Sequence, residues 1–168
     1  DAMFPGASDN ASGVSMVMNL AAYFSKHKPK YTTVFILFSG EEAGLLGSAY
    51  FTQHPMFDLK KIKTLVNIDI MGNAEKGIVV VNGEEQRGIY DKLTSINNTQ
   101  GLLAEVRIRA KARNSDHYHF AELGVPAVFI YSDGGVGYYH DVFDKANTIA
   151  LTNYEKVFQL LTTFAAQP

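Results

Sequence analysis

The sequence predicts an α/β domain built on a mostly parallel central sheet with helices on its faces. Two observations lead there. Short β-branched and aromatic runs alternate along the chain with stretches of helical periodicity. The chain has 168 residues, 46% of them apolar and 19% charged, the length and composition of one globular domain.

The elements follow in order. "SGVSMVMNLAAYFSKH" (12–27) reads as a helix, apolar on most faces and therefore buried, ending near Pro29. "YTTVFILFS" (31–39) is β-branched and aromatic throughout, the pattern of a central strand covered on both faces. Helical spacing returns over 42–54, and 62–70 and 77–83 read as strands. An amphipathic helix is expected over 84–98 and a half-exposed strand over 103–110. A short helix over 115–124 ends at Gly124, 126–132 is a further buried strand, and 152–166 is a closing helix. No internal repeat, low-complexity tract or linker divides residues 1–168.

Charge and composition narrow the function. Net charge is −2, from 15 basic and 17 acidic side chains without a basic block, which argues against nucleic acid and anionic membranes as partners. The chain has no cysteine, so any metal must be held by His, Asp and Glu, and either redox compartment is compatible. No apolar run approaches the length of a membrane span, and no signal-peptide pattern is present.

The acidic residues and histidines cluster after strands and before helices. Asp9 lies in "PGASDNASG" ahead of the first helix, Glu41 and Glu42 follow the first strand, and Asp69 ends the next. Asp116 and His117 open the short helix, and His140 follows the last strand. Open α/β sheets bind ligands outside the carboxyl ends of their strands, so these segments can meet in one crevice. Asp, Glu and His converging without Cys suit a catalytic zinc site, in which three protein ligands leave one position for water.

Five motifs stand in sequence order: "D-N-A-S-G", "S-G-E-E-x-G-L-x-G-S", "N-I-D-x-x-G", "S-D-H-x-x-F-x-x-x-G-V-P-A" and "Y-H-x-x-x-D". In this the chain resembles, from Gly6 to about Thr148, the co-catalytic zinc aminopeptidases of bacterial leucyl-aminopeptidase type, whose relatives include glutamate carboxypeptidases and glutaminyl cyclases. The resemblance implies the phosphorylase/hydrolase-like architecture of zinc exopeptidases. It also implies a peptide substrate and, by family habit, an extracytoplasmic location.

Residue by residue, the resemblance makes Glu41 the general base towards a zinc-activated water and Glu42 a zinc ligand. It makes Asp9 the carboxylate that bridges two zincs, Asp69 a ligand of the second zinc and His140 the last ligand of the first. The peptide bond after Asp9 is expected to be cis. Asp144 is expected behind the ligands, orienting the His140 imidazole, and Asp116 as a buried carboxylate tuning Glu41. Tyr139, or Tyr138 beside it, is the candidate for stabilising the tetrahedral oxyanion.

Each also has a plainer reading. The glutamate pair can be solvated residues opening a helix, Asp9 a helix cap, Asp69 a turn residue and the tyrosines packing. Ser12 is the better cap candidate, which leaves Asp9 free. His117 reads as a helix-start histidine, and His27, His54 and His119 as surface residues.

The chain departs from the family pattern in one respect. Family members carry a further metal histidine in an H-x-D motif ahead of the bridging aspartate, and none precedes Asp9 here. One zinc therefore keeps a complete set, Asp9, Glu42 and His140, whereas the second keeps only Asp9 and Asp69. The expectation is a single domain, 1–168, forming the C-terminal part of a zinc peptidase catalytic domain and binding about one zinc tightly. Two further readings are a glutaminyl cyclase-like acyltransferase using one zinc and a peptidase-like domain that only binds partners.

Overall fold

The computed structural model of the chain describes residues 3–135 and 138–167. Five α-helices, α1 (Gly13–Lys26), α2 (Leu46–Gln53), α3 (Arg87–Gln100), α4 (His117–Glu122) and α5 (Tyr154–Ala166), surround four strands, β1 (Leu65–Ile68), β2 (Gly77–Val81), β3 (Val106–Ile108) and β4 (Ala127–Asp133). The strands form one sheet in the order β1-β4-β2-β3. β1 runs parallel to β4 and β2 parallel to β3, while β2 and β4 pair antiparallel with Val80 opposite Ile130. The sheet is thus mostly parallel, as expected, with one antiparallel seam at its centre.

Much of the seam is dry. Val79, Val80, Val81, Val128 and Ile130 are fully buried, which is why these runs read as unbroken apolar strands rather than alternating ones. Ile78, Val80, Val128 and Ile130 pack in one cluster with Met16 and Leu20 of α1, Leu93 of α3 and Leu160 of α5. Phe120, Val125 and Ala127 form a second cluster, joined by Phe38 and Phe51. Each such apolar side chain contributes about 1.5–3 kcal/mol through burial.

Helix α1 buries one stripe rather than most faces. Met16, Leu20 and Phe24 recur every four residues and point inward, whereas Val14 and Met18 are exposed. The glycines of its opening motif are explained by close approach. A Cβ on Gly13 would meet the Asn10 side chain and lie 2.9 Å from the Ile68 carbonyl oxygen, at the end of β1.

The expectation of a central strand over 31–39 is not met. Residues 32–39 belong to no strand, and Val34 and Leu37 are 52% and 55% exposed. Among the described residues no neighbouring strand offers a ladder to this segment. It is held by Phe38, which joins the second cluster, by Phe35 stacking on Phe24, and by its end. Gly47 donates its N–H to the Ser39 carbonyl and Leu46 to that of Gly40. A side chain on Gly47 would collide with Ser39, which accounts for the second glycine of "GLLGS". Helix α2 accordingly starts at Leu46, later than expected, because Gly40 and Leu45, at φ 69° and 61°, turn the chain sharply around the glutamates. Among the described residues no helix is long and apolar enough to cross a membrane.

Candidate metal centre

Four loops converge at the carboxyl ends of β1 and β4. The first, between Gly6 and α1, carries Asp9. The turn after residue 39 carries Glu41 and Glu42, the end of β1 carries Asp69, and the segment after β4 carries His140. His140 Nε2 lies 3.3 Å from Asp9 Oδ2 and 3.2 Å from Glu42 Oε1. One donor atom from each of the three falls within 4.8 Å of the others. The expected ligands of a first metal are therefore brought together, although they come from positions 131 residues apart.

The local backbone is shaped for this. The Asp9–Asn10 peptide is cis, as the resemblance implied. Asn10 Oδ1 accepts N–H bonds from Gly13 at 3.0 Å and Ile70 at 3.1 Å, so one amide caps α1 and ties the Asp9 loop to the end of β1. Ser12 stands at the N-cap position, as expected, but makes no side-chain cap bond; its hydroxyl instead donates to the Ser8 carbonyl and accepts from Met71 N–H. Ile70 and His140 both adopt the left-handed region, at φ 53° and 54°, a costly conformation for non-glycine residues that surrounding bonds must hold. For Ile70 those bonds are the one to Asn10 and two from Ser132 to its carbonyl.

The electrostatics are those of crowded carboxylates, opposed at Asp9 by His140 and at Asp116 by His119. Burial, followed by repulsion from Asp69, Glu42, Asp116 and Asp9, pushes Glu41 up to about 7. Burial and the Asp9 charge push Asp69 up to about 6, against the Ser115 hydroxyl and the backbone of Ile70. Asp9 is raised by burial and by Glu42, with His140 opposing. Asp116 is raised by burial, with Ser48 and His119 opposing. No Lys or Arg is among the groups that shift these four. Among the described residues, Asp69 Oδ1 and Asp116 Oδ1 are buried without a hydrogen-bond partner. Anionic acceptors left unpaired in a low-dielectric site call for a bound cation or for protons, and this donor set of carboxylate and imidazole fits zinc.

The remaining expected residues fall as follows. Asp116 lies close enough to raise both Glu41 and Asp69. Tyr139 is 60% exposed, stacks on His140 with ring centroids 3.8 Å apart, and is raised by burial and by the Asp9, Glu42, Glu41 and Asp69 charges. Tyr138 instead packs near Phe143. His117 stays outside the ligand group, buried beside Phe129 and pushed down to about 4 by burial. His27 and His54 are exposed, but His119 is half-buried near Asp116, because α4 turns it inward.

Asp144 needs a correction. Its carboxylate accepts from the backbone N–H groups of Ser8 at 2.7 Å and Asp9 at 2.9 Å, so its hydrogen bonds go to the Asp9 loop and not to the His140 imidazole.

Two participants were not singled out from the sequence. Asn67 donates to Ser115 Oγ at 2.6 Å, and Ser115 donates to Asp69 Oδ2 at 3.1 Å. This relay commits one oxygen of Asp69 and leaves the other free. Ser115 lies within the "S-D-H" motif, but nothing in the motif says which carboxylate it serves.

The profile of peptidase family M28 matches residues 1–165. The chain is 28% identical over 166 residues to aminopeptidase YwaD of Bacillus subtilis, covering 94% of this chain and 36% of that protein. It is 42% identical over 71 residues to a probable zinc metalloprotease of Pyrenophora tritici-repentis, covering 42% and 16%. Among solved structures, an aminopeptidase from Aneurinibacillus superposes with a TM-score of 0.84 at 27% identity, over all of this chain and 42% of that one. LapA of Legionella superposes with a TM-score of 0.80 at 25% identity, over 99% and 51%. The chain thus spans about half the length, or less, of these proteins.

Proposed function

Because the chain belongs to peptidase family M28, we propose that it serves a zinc-dependent aminopeptidase, hydrolysing the N-terminal bond of peptides. The observation that carries this reading is the meeting of Asp9, Glu42 and His140 around one point, with Glu41 adjacent and poised near neutrality. Zinc held by those three would act as a Lewis acid, making water nucleophilic near pH 7 and polarising the scissile carbonyl.

The protein's own groups supply the proton traffic and the charge stabilisation. Glu41 accepts a proton as water oxygen bonds to the carbonyl carbon, and returns it to the amine nitrogen as the C–N bond breaks. In the metal-free fold Glu41 lies at about 7, the range in which a carboxylate both takes up and releases a proton at physiological pH. Tyr139, its hydroxyl kept protonated by burial and by the surrounding carboxylates, donates to the carbonyl oxygen as charge builds there. Asp69 and Asp116 hold Glu41 up by repulsion. Asp9 and Asp69 offer two ligands to a second zinc and an anionic seat for the substrate's α-ammonium group.

We propose further that residues 1–168 are the C-terminal part of the catalytic domain. The unladdered segment 32–39 and the chain lengths of the solved relatives support this.

Replacing Glu41 by Gln in the whole protein is expected to lower hydrolysis of an aminoacyl reporter by about 10²–10⁴-fold while zinc content is retained. Unchanged turnover would overturn the assignment.

One observation favours a second reading, single-zinc glutaminyl cyclisation: the described residues contain one three-ligand group. A Bacteroides glutaminyl cyclase shares the fold at 19% identity. Cyclisation of an N-terminal glutamine, assayed beside reporter hydrolysis, separates the two.

A further inference from the structure

The first metal site draws Asp9 and His140 from opposite ends of the chain, and one buried side chain joins the two arms. Asp144 lies four residues after His140 and is 2% exposed. Its two carboxylate oxygens are shared between consecutive amides, Oδ1 accepting from Ser8 N–H at 2.7 Å and Oδ2 from Asp9 N–H at 2.9 Å. Its carbonyl oxygen accepts from Ala7 N–H at 3.1 Å, and its own N–H donates to the Asp141 carbonyl. Three successive residues of the Asp9 loop are therefore pinned to one residue of the His140 arm.

We infer that Asp144 is the positioning residue of this site, setting where Asp9 stands relative to His140 by clamping the backbone of the Asp9 loop. The inference rests on the zinc reading above. Both bonds of the Asp144 carboxylate go to the Asp9 loop, none among the described residues goes to the imidazole, and Asp144 is not in the ligand group, so its effect on the metal passes through Asp9. Amide bonds to a charged acceptor are the stronger kind, and here they are shielded from water. Without them the Asp9 loop keeps its Asn10 and Ser12 bonds to the β1 end and the Ala7 bond to the Asp144 carbonyl, but loses its carboxylate link to the His140 arm. Metal affinity then falls because the ligand pair must be ordered on binding.

The test uses the chain loaded with cobalt(II), whose visible spectrum reports coordination. Asp144→Ala is expected to weaken cobalt binding about 10–100-fold, measured by chelator competition, and to change the visible bands. Asp144→Asn keeps one amide acceptor and sets an NH₂ group against the other amide, so its loss should be intermediate. A lowered melting temperature of the metal-free protein with wild-type affinity and spectrum would show a merely structural role and overturn the inference. If Asp144→Ala does not fold, the isosteric Asp144→Asn decides by the same two readouts. Failure of the wild type to bind cobalt, or binding untouched by His140→Ala, would overturn the zinc assignment itself and the inference with it.

Discussion

Two stretches of nearly the same composition meet opposite fates in this molecule. The β2–β4 seam, "GIVVV" against "AVFIYSD", is laddered and dry, with Val79, Val80 and Ile130 at 0% exposure. The segment 32–39, "TTVFILFS", is as β-branched and aromatic, yet it has no ladder and leaves Val34 and Leu37 in water. The difference lies in neighbours rather than in residues. β-propensity measures fit to a paired, covered surface, and only the seam has one. Both stretches lead to the site, since β1 and β4 deliver Asp69 and the His140 arm while 32–39 delivers Glu41 and Glu42. The metal centre therefore joins a framed half to a half held by Phe35, Phe38 and its terminal turn. An open concavity of about 560 Å³ beside the bare segment, lined by Phe24, Tyr31 and Phe35 among others, contains none of the site residues.

The largest effect that would break this contrast is expected in the seam. Ile130 is fully buried in the principal cluster, so Ile130→Ala removes apolar contacts and leaves a cavity. The cost should be about 2–5 kcal/mol of unfolding free energy, read from denaturant titration of the metal-free chain. A change below about 1 kcal/mol would show that the seam is not the stabilising half.

A smaller effect separates the two sources of carboxylate. In the metal-free fold Asp69 is raised from 3.8 to about 6 and Glu41 from 4.5 to about 7, both chiefly by burial. Between about pH 4 and 7 the unfolded chain has released these protons while the folded chain keeps them, so stability falls as pH rises through this window. The full contribution is present below pH 4 and gone above pH 7. Asp69 alone contributes about 3 kcal/mol at ~1.4 kcal/mol for each tenfold change in proton affinity. Half-exposed Glu41 adds less than its shift implies, because water screens it. Melting with chelator at pH 5 and pH 8 should show the higher temperature at pH 5. Asp69→Asn and Glu41→Gln should each flatten the difference. Zinc added at pH 8 should restore stability, since it binds the folded state. Equal melting temperatures at the two pH values would contradict the crowding of unpaired carboxylates.

The sequence disclosed more of the site than of its framing. Asp9, Glu42 and His140 were legible because their chemistry is carried by residue type and by motif order. The buried strands β2 and β4 were legible because a dry strand has a local signature. Segment 31–39 has the same signature, and whether a ladder exists beside it depends on other chain. Asp144 was placed near the site, but its true partners are backbone amides 135 and 136 residues away, and an amide carries no mark in sequence. The Asn67–Ser115–Asp69 relay was missed for a related reason: three common polar residues on two elements acquire direction only when β1 and the start of α4 are side by side. The inward stripe of α1 was hidden by its composition, since Val14 and Met18 look as buried as Met16 until the partners are known.

The smallest predicted effect sharpens the comparison most. Leu37 is a large apolar residue in an apolar run, and composition alone would give Leu37→Ala a core penalty of 2–5 kcal/mol. At 55% exposure and without a ladder it has little burial to lose, so the expected cost in the 168-residue chain is below about 0.5 kcal/mol, as for an ordinary surface site. The same substitution in the whole protein tests what covers this segment. If further chain pairs with 32–39, Leu37 becomes buried there and the cost rises to at least about 2 kcal/mol, with reporter hydrolysis falling as Glu41 and Glu42 lose their support. A negligible cost in both settings would mean that the segment stays bare and that its aromatic contacts and terminal turn position the two glutamates. A core-sized cost in the 168-residue chain would mean that the segment is already packed in solution, and the contrast between the two halves would fall.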